Sequence, residues 1–180
     1  MAELQPAHLI ASALGVAAAF TDLRWRRVPN WLTVPAALLG LTLAAVTSGP
    51  RGLGLAALGM GLGLAIGVAG MLLAGCFGGG DTKLLGAFGA LGGTAFLIST
   101  LVYGAIVGGL MAVGIALSHR RLKQAINGLV TFMAACASRC RPISLEAVST
   151  GVTIPFAVAL GAGAVAAAML PPPWALVAGQ

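Results

Sequence analysis

Charged residues are scarce in this sequence. Only 8% of its 180 residues are charged, and the acidic ones number four: Glu3, Asp22, Asp81 and Glu146. Apolar residues make up 59% of the chain, and there are 27 glycines. A water-soluble domain of this size could not bury so many apolar groups, so the composition excludes an ordinary soluble protein.

Long stretches that carry almost no charge contain most of the apolar residues. Residues 53–75 exceed the roughly 20 residues that cross the hydrocarbon core of a bilayer, and the apolar stretch 84–117 is longer still. Within lipid the backbone must satisfy its own hydrogen bonds, so these stretches have to be helices. The sequence therefore predicts an all-α polytopic membrane helix bundle in the lipid bilayer, with residues 1–180 as a single domain.

The basic residues fall in short clusters between the apolar stretches. The formal net charge of +6 could suggest nucleic-acid binding. The clustering is instead typical of cytoplasmic loops in membrane proteins, which are enriched in Lys and Arg, so no nucleic-acid partner is predicted. The clusters are Arg24, Arg26 and Arg27; Lys83; Arg120, Arg121 and Lys123; and Arg139 and Arg141, with Arg51 alone.

Charge bias also indicates how often the chain crosses the bilayer. If the stretch 84–117 makes two crossings that turn near Gly92 and Gly93, every basic residue except Arg51 lies on the cytoplasmic side. The fourth helix is then short, which is tolerable if it is tilted or buried among the others. We therefore predict about six transmembrane helices, with both termini outside the cytoplasm. The stretches are 6–21, 31–46, 53–75, the two parts of 84–117, and 152–170.

Cysteine and histidine are too few and too scattered to indicate a metal site. There are three cysteines, of which two form a CxxxC pair, and two histidines. A structural zinc ion usually takes four ligands from such residues. Neither a metal nor a cofactor is predicted. No Lys or Arg precedes the apolar N-terminal stretch, so it is interpreted as a retained helix rather than a signal peptide.

Three smaller patterns concern packing and local shape. Gly59, Gly63 and Gly67 recur every four residues and share one helix face, which predicts close packing of neighbouring helices. Residues 129–137 are apolar but too short to span, so they are interpreted as an amphipathic helix at the membrane surface. Pro155 is expected to kink the last helix.

Asp22 and Asp81 are the acidic residues nearest the predicted membrane core. Asp22 ends the first helix and Asp81 begins the fourth, so the predicted topology places both at the cytoplasmic boundary and at one depth. Two carboxyl groups that share a site cannot both ionise cheaply, so one keeps its proton. The charged carboxylate can then take a proton from water while the neutral one hydrogen-bonds a carbonyl, as an aspartic protease requires.

Each aspartate also has a structural interpretation. Asp81 follows three glycines and precedes a helical stretch, so it could be an N-cap that accepts a backbone N–H. Asp22 could pair with Arg24 or Arg26 at the membrane interface. The glycines at 78–80 could give a ligand close access to the backbone, or they could simply break the helix. For the pair together a functional interpretation is favoured, because ionisable groups in membrane helices are costly to keep.

The segments around the two aspartates resemble a known family. The motif GGGD at residues 78–81 reads as GxGD, and the segment DLRWRRVPN begins at Asp22. Together with TIPFAVALG near the C-terminus, these motifs resemble the type IV prepilin peptidases, and specifically their short CpaA/TadV-like branch.

The resemblance implies a membrane aspartic endopeptidase of the bacterial inner membrane. Such an enzyme removes the short basic leader of prepilin-like precursors (type IV or Flp pilins and pseudopilins) after a glycine at the cytoplasmic face. By position, Asp22 and Asp81 would be the catalytic pair, and Gly78 and Gly80 would shape the loop. Lys83 would act on Asp81 or on an acidic residue of the substrate, or would extend its ammonium group to the interface.

The resemblance also has limits. Bifunctional relatives methylate the new N-terminus and carry an N-terminal region with paired CxxC motifs, which has no counterpart here, so methylation is in doubt and zinc is not expected. Pilus biogenesis and type II secretion are the processes implied, although archaeal preflagellin peptidases share the motifs. Two other classes stay open: a small transporter with the aspartates as proton or cation sites, and a non-enzymatic assembly protein. The oligomeric state is open, including a homo-oligomer.

Overall fold

The computed structural model describes residues 6–74, 78–118 and 156–177, which are helical almost throughout and contain no strand. The predicted all-α membrane bundle is confirmed, and three of the helices are long and apolar enough to cross a bilayer. The helices are α1 (Pro6–Trp25), α2 (Asn30–Ala69, continued by a π-helix over Gly70–Ala74), α3 (Gly79–Ser118), α4 (Phe156–Met169) and α5 (Pro173–Val177).

Two glycines interrupt the long helices α2 and α3. Gly49 has φ 61° and ψ −152°, and Gly93 has φ 72° and ψ −172°. This region of backbone space is essentially restricted to glycine, because a Cβ would clash with the backbone. The interruptions define four segments, which we name α2N (30–48), α2C (50–69), α3N (79–92) and α3C (94–118).

The chain reverses direction at Gly49. A methyl group placed on Gly52 would lie 2.5 Å from the carbonyl oxygen of Ala44. In a straight helix, residues eight positions apart are separated by about 12 Å. Pro50 follows the break directly and suits the start of α2C, because its missing N–H would have no helical partner there. Segments α2N and α2C are therefore antiparallel neighbours.

The orientation of α3N follows from its contacts with α1. His8, near the start of α1, stacks on Phe96, which lies just beyond the C-terminal end of α3N, with ring centroids 4.7 Å apart. At the other end of α1, Val28, three residues beyond the helix, packs against Gly80 at the start of α3N. Residue numbers thus rise along α1 as they fall along α3N, so the two helices are antiparallel.

Helix α4 packs on both α1 and α3C. In both contacts the residue numbers rise on one helix as they fall on the other, so α4 is antiparallel to α1 and to α3C. Consequently α1 and α3C are parallel, and α3 reverses its direction at Gly93. The residues in contact are Gly15 with Ala164 and Ala19 with Gly161 for α1, and Thr100 with Gly163 and Gly108 with Ala159 for α3C.

These reversals divide the described chain into six apolar helical segments: α1, α2N, α2C, α3N, α3C and α4. The turn predicted near Gly92 and Gly93 is found at Gly93. Whether all six segments cross the bilayer, and on which side the termini lie, stays a prediction. The surface helix predicted at 129–137 and the kink predicted at Pro155 lie outside the described residues.

Segment α3N is the centre of the bundle. Every residue from 84 to 91 is buried, and Phe88 is fully enclosed. A helix that is surrounded by protein does not have to match the thickness of the lipid, which explains how so short a segment fits. The glycine face of α2C is packed against it, as predicted: Gly59 lies on Gly89, Gly63 on Leu85, and Gly67 on Thr82.

The backbone at Gly93 leads to a first prediction. Gly93→Ala is expected to destabilise the protein by about 1–3 kcal/mol, because a side chain is strained at this φ and ψ. Reversible unfolding in mixed detergent micelles measures the change. Gly109→Ala is the control, since this glycine also lies in α3 and no described atom lies within 4 Å of an added methyl group. Equal stability of the two variants would contradict the strained geometry.

Candidate active site

Asp22 lies in the last turn of α1. The helix continues to Trp25 rather than stopping near residue 21 as predicted, because no helix-breaking residue occurs before Pro29. It ends where Arg26 adopts a left-handed conformation with φ 52°. The N–H of Arg26 donates to the carbonyl oxygen of Asp22 at 2.8 Å. The side chain of Asp22 is half-buried, within the last turn rather than just beyond the helix.

Asp81 is the third residue of the central segment α3N. Its Oδ2 accepts a hydrogen bond from the backbone N–H of Gly78 at 3.1 Å, the geometry of one half of a capping box. Thr82 Oγ1 donates to the carbonyl oxygen of Gly78 at 3.1 Å. Asp81 therefore does help to start its helix, although from the third position and not as the N-cap. Within the described residues, only one of the two carboxyl oxygens of Asp81 accepts a hydrogen bond.

The two aspartates lie on different helices at one end of the bundle. Asp22 is in the last turn of α1 and Asp81 is in the first turn of α3N. Neither aspartate forms an ion pair with a described cation, so the pairing of Asp22 with Arg24 or Arg26 is not found there. In general, two carboxyl groups that come close can share one proton and so provide a general base and a hydrogen-bond donor.

Val28, in the segment after α1, packs directly on Gly80, the residue before Asp81. Val28 is buried, and a methyl group on Gly80 would lie 3.1 Å from its Cβ and 3.3 Å from its backbone N and O. A methyl group on Gly78 would meet only Asp81 Oδ2, at 3.5 Å, and one on Gly79 would have no described atom within 4 Å. Close approach therefore explains the glycine at position 80, whereas contacts within the described residues do not explain the other two.

Lys83 connects two of the helices at this end of the bundle. Its Nζ donates to Oδ1 of Asn30 at 2.8 Å, across 53 positions of sequence. Asn30 is the first residue of α2, one position before the start predicted for that helix from the sequence. No spacing rule relates residues so far apart in sequence. The contacts of Asn30 with Lys83 and of Val28 with Gly80 were therefore not predicted.

Aromatic and basic side chains surround the loop between α1 and α2. Trp25 and Trp31 are 60% and 70% exposed, and the three arginines at positions 24, 26 and 27 are exposed as well. Trp is enriched at membrane–water interfaces, and Lys and Arg are enriched in cytoplasmic loops. These residues favour a position of the loop at the level of the lipid headgroups.

The described residues include two carboxyl groups at this site and no cluster of metal ligands. Within the ranges 6–74, 78–118 and 156–177, no group of three or more His, Cys, Asp or Glu side chains could hold a metal ion. The three cysteines lie outside these ranges. The reactive groups at this end of the described bundle are the two aspartates, the ammonium group of Lys83 and backbone amides.

An all-helical membrane bundle that carries Asp22 and Asp81 at one end offers the carboxyl groups that a membrane-embedded hydrolase needs. The sequence model of the type IV leader peptidase family matches residues 9–113. This is more than half of the chain and includes both aspartates, so the protein belongs to the type IV leader peptidase family and is a peptidase. The resemblance identified from the motifs is thereby confirmed. Neither the curated proteins nor the solved structures gave a match.

Proposed function

We propose that this peptidase removes the short basic leader of prepilin-like precursors by activating water with Asp22 and Asp81. The observation that carries the proposal is the packing of Val28, which follows the end of α1, against Gly80 at the start of α3N, because it joins the segments that hold the two aspartates. Asp22 and Asp81 are the acidic residues within the described part of the bundle, and both lie at one end of it. Family membership supports prepilin-like precursors as the substrate class.

The proposed mechanism divides the work between the two carboxyl groups. The carboxylate takes a proton from a water molecule, whose oxygen attacks the carbonyl carbon of the peptide bond. The protonated partner donates a hydrogen bond to the carbonyl oxygen as negative charge develops there. The C–N bond then breaks, the nitrogen receives a proton, and the leader leaves with a new carboxylate. Neither role is assigned to one residue, because two interacting carboxyl groups can exchange these roles.

The proposed location of the reaction is the cytoplasmic face of the inner membrane. Arg24, Arg26 and Arg27 lie within five positions of Asp22, and clusters of this kind favour the cytoplasmic side. A precursor whose apolar helix is in the bilayer would place the junction between that helix and its basic leader at the same level.

Leader removal from a co-expressed pilin-like precursor tests this function directly. We expect a product shortened by the leader, identified by its intact mass, in cells that contain the protein and not in cells that lack it. An uncleaved precursor in both cases would contradict the proposal. Ion flux into vesicles that depends on the aspartates, without any cleavage, would support a transporter instead.

The contact between Gly80 and Val28 gives a further prediction. Gly80→Ala is expected to reduce the cleavage rate about tenfold, because the added methyl group displaces the first turn of α3N from the segment that follows Asp22, and small misplacements of reacting groups are costly. Gly79→Ala is the matched control, as its added methyl group would have no described atom within 4 Å. Initial rates on a purified precursor measure both. Equal losses in the two variants would exclude the Val28 contact as the cause.

A further inference from the structure

The segment 28–30 makes two separate contacts with the segment that carries Asp81. Val28 packs against Gly80, and Asn30 accepts the hydrogen bond from Lys83 at 2.8 Å. Residues 28–30 follow Asp22 closely in sequence, while residues 80 and 83 are on either side of Asp81. The two contacts therefore join the polypeptide segments that hold the two carboxyl groups.

The bond between Asn30 and Lys83 is poorly suited to a purely stabilising role. Both side chains are exposed, and ordering a lysine side chain costs conformational entropy. A single exposed polar contact contributes little to the stability of a fold. The bond does fix the relative placement of two helix starts, because it links the first residue of α2 to the beginning of α3N.

The acceptor in this bond is a neutral amide. Asn30 Oδ1 orients the ammonium group of Lys83 without cancelling its charge, and no described acidic side chain pairs with Lys83. The bond thus holds Lys83 and the first turn of α3N in place. It does not change the net charge around Asp81, because Asn30 is neutral.

We propose that Asn30 is a positioning residue for the reaction. Through Lys83 it holds the first turn of α3N, and hence Asp81, in register with Asp22. The inference rests on the proposed function, since it assigns Asn30 a part in the reaction of the aspartate pair. Asn30 itself has no contact with either carboxyl group among the described interactions, so it acts on the reaction only through Lys83.

A double-mutant cycle on Asn30 and Lys83 tests the proposal. Asn30→Ala removes the acceptor, and Lys83→Met removes the donor at similar length. Each is expected to lower kcat about tenfold with KM changed less than twofold, because the reacting groups are displaced while substrate contacts remain. The double variant should be no slower than the slower single variant, since both changes break one bond. Asn30→Asp and Lys83→Arg keep the bond and should retain kcat within about threefold.

Controls separate positioning from general destabilisation. Thr42→Val removes another exposed hydrogen bond in α2N, from Thr42 Oγ1 to the carbonyl oxygen of Leu39 at 3.1 Å, and should leave kcat unchanged. Arg51→Met removes a cation beyond Gly49, at the far end of the α2 hairpin, and should also leave it unchanged. The unfolding midpoints of all variants should stay within a few degrees of that of the unsubstituted protein.

Several outcomes would overturn the proposal. These are full kcat in Asn30→Ala, a double variant whose loss equals the product of the single losses, or a loss of kcat that follows the unfolding midpoint. If Asn30→Ala does not accumulate, full kcat in Lys83→Met would overturn it equally. Failure of the proposed function looks different, because Asp22→Asn and Asp81→Asn would then still cleave the precursor. Inactive aspartate variants beside a fully active Asn30→Ala would refute only the positioning role.

Discussion

Replacing either Asp22 or Asp81 with asparagine is expected to lower leader removal by about 10³-fold, the size of a lost general acid or base. Asparagine has nearly the shape of aspartate and can still accept a hydrogen bond, so Asp81→Asn keeps the contact with the N–H of Gly78. What it cannot do is exchange a proton with water. The measurement is the rate of precursor cleavage by purified protein in lipid nanodiscs.

The double aspartate variant refines this prediction. If the two carboxyl groups act as a unit, as proposed, removing both should cost no more than removing one. A single variant that keeps a tenth of the original rate would rule out a shared role, and so would two variants whose losses multiply. Similar unfolding midpoints for all three proteins would show that the loss is chemical rather than structural.

The second large effect is expected at the closest approach of two helices. A methyl group on Gly89 of α3N would overlap the carbonyl oxygen of Gly59 in α2C. Because a helix backbone cannot give way as a flexible side chain can, Gly89→Ala should force the helices apart. The expected cost is about 3 kcal/mol, the upper end of the range for overpacked cores, measured as the change in the free energy of unfolding in mixed micelles.

A glycine on the same helix as Gly59 provides the control. Gly61 lies in α2C two residues away, and no described atom lies within 4 Å of a methyl group added there. Gly61→Ala should leave the stability unchanged or raise it by about 0.5–1 kcal/mol, because alanine favours a helix over glycine. If Gly89→Ala proved as stable as Gly61→Ala, the tight helix contact would have to be abandoned.

The helical architecture was predictable, and the aspartate pair could be proposed, because each depends on a scarce feature of the sequence. Four acidic residues in an apolar chain leave few candidates for a polar site, and the clusters of basic residues constrain the direction of each helical segment. The turn at Gly93 followed from this constraint, because only a reversal within 84–117 returns the next basic cluster to the same side. The close packing of Gly59, Gly63 and Gly67 followed from their spacing of four.

The supporting contacts of the site could not be predicted in this way. Val28 is one apolar residue among many, and only the fold shows that it occupies the space beside Gly80. The extent of α1 was also misjudged, because the polar sequence after Phe20 suggested a loop. The last turn continues through Asp22 because the helix is interrupted only where Arg26 leaves the helical conformation.

The exposed indoles of Trp25 and Trp31 have a consequence for the supply of the second reactant. Trp side chains are enriched at the boundary between the acyl chains and the hydrated headgroups. The water that hydrolyses a peptide bond at that depth can come from the adjoining aqueous layer. The protein then needs no water channel through the hydrocarbon core. A released cationic peptide could diffuse into the same layer, while the apolar remainder of the cut chain stayed dissolved in lipid.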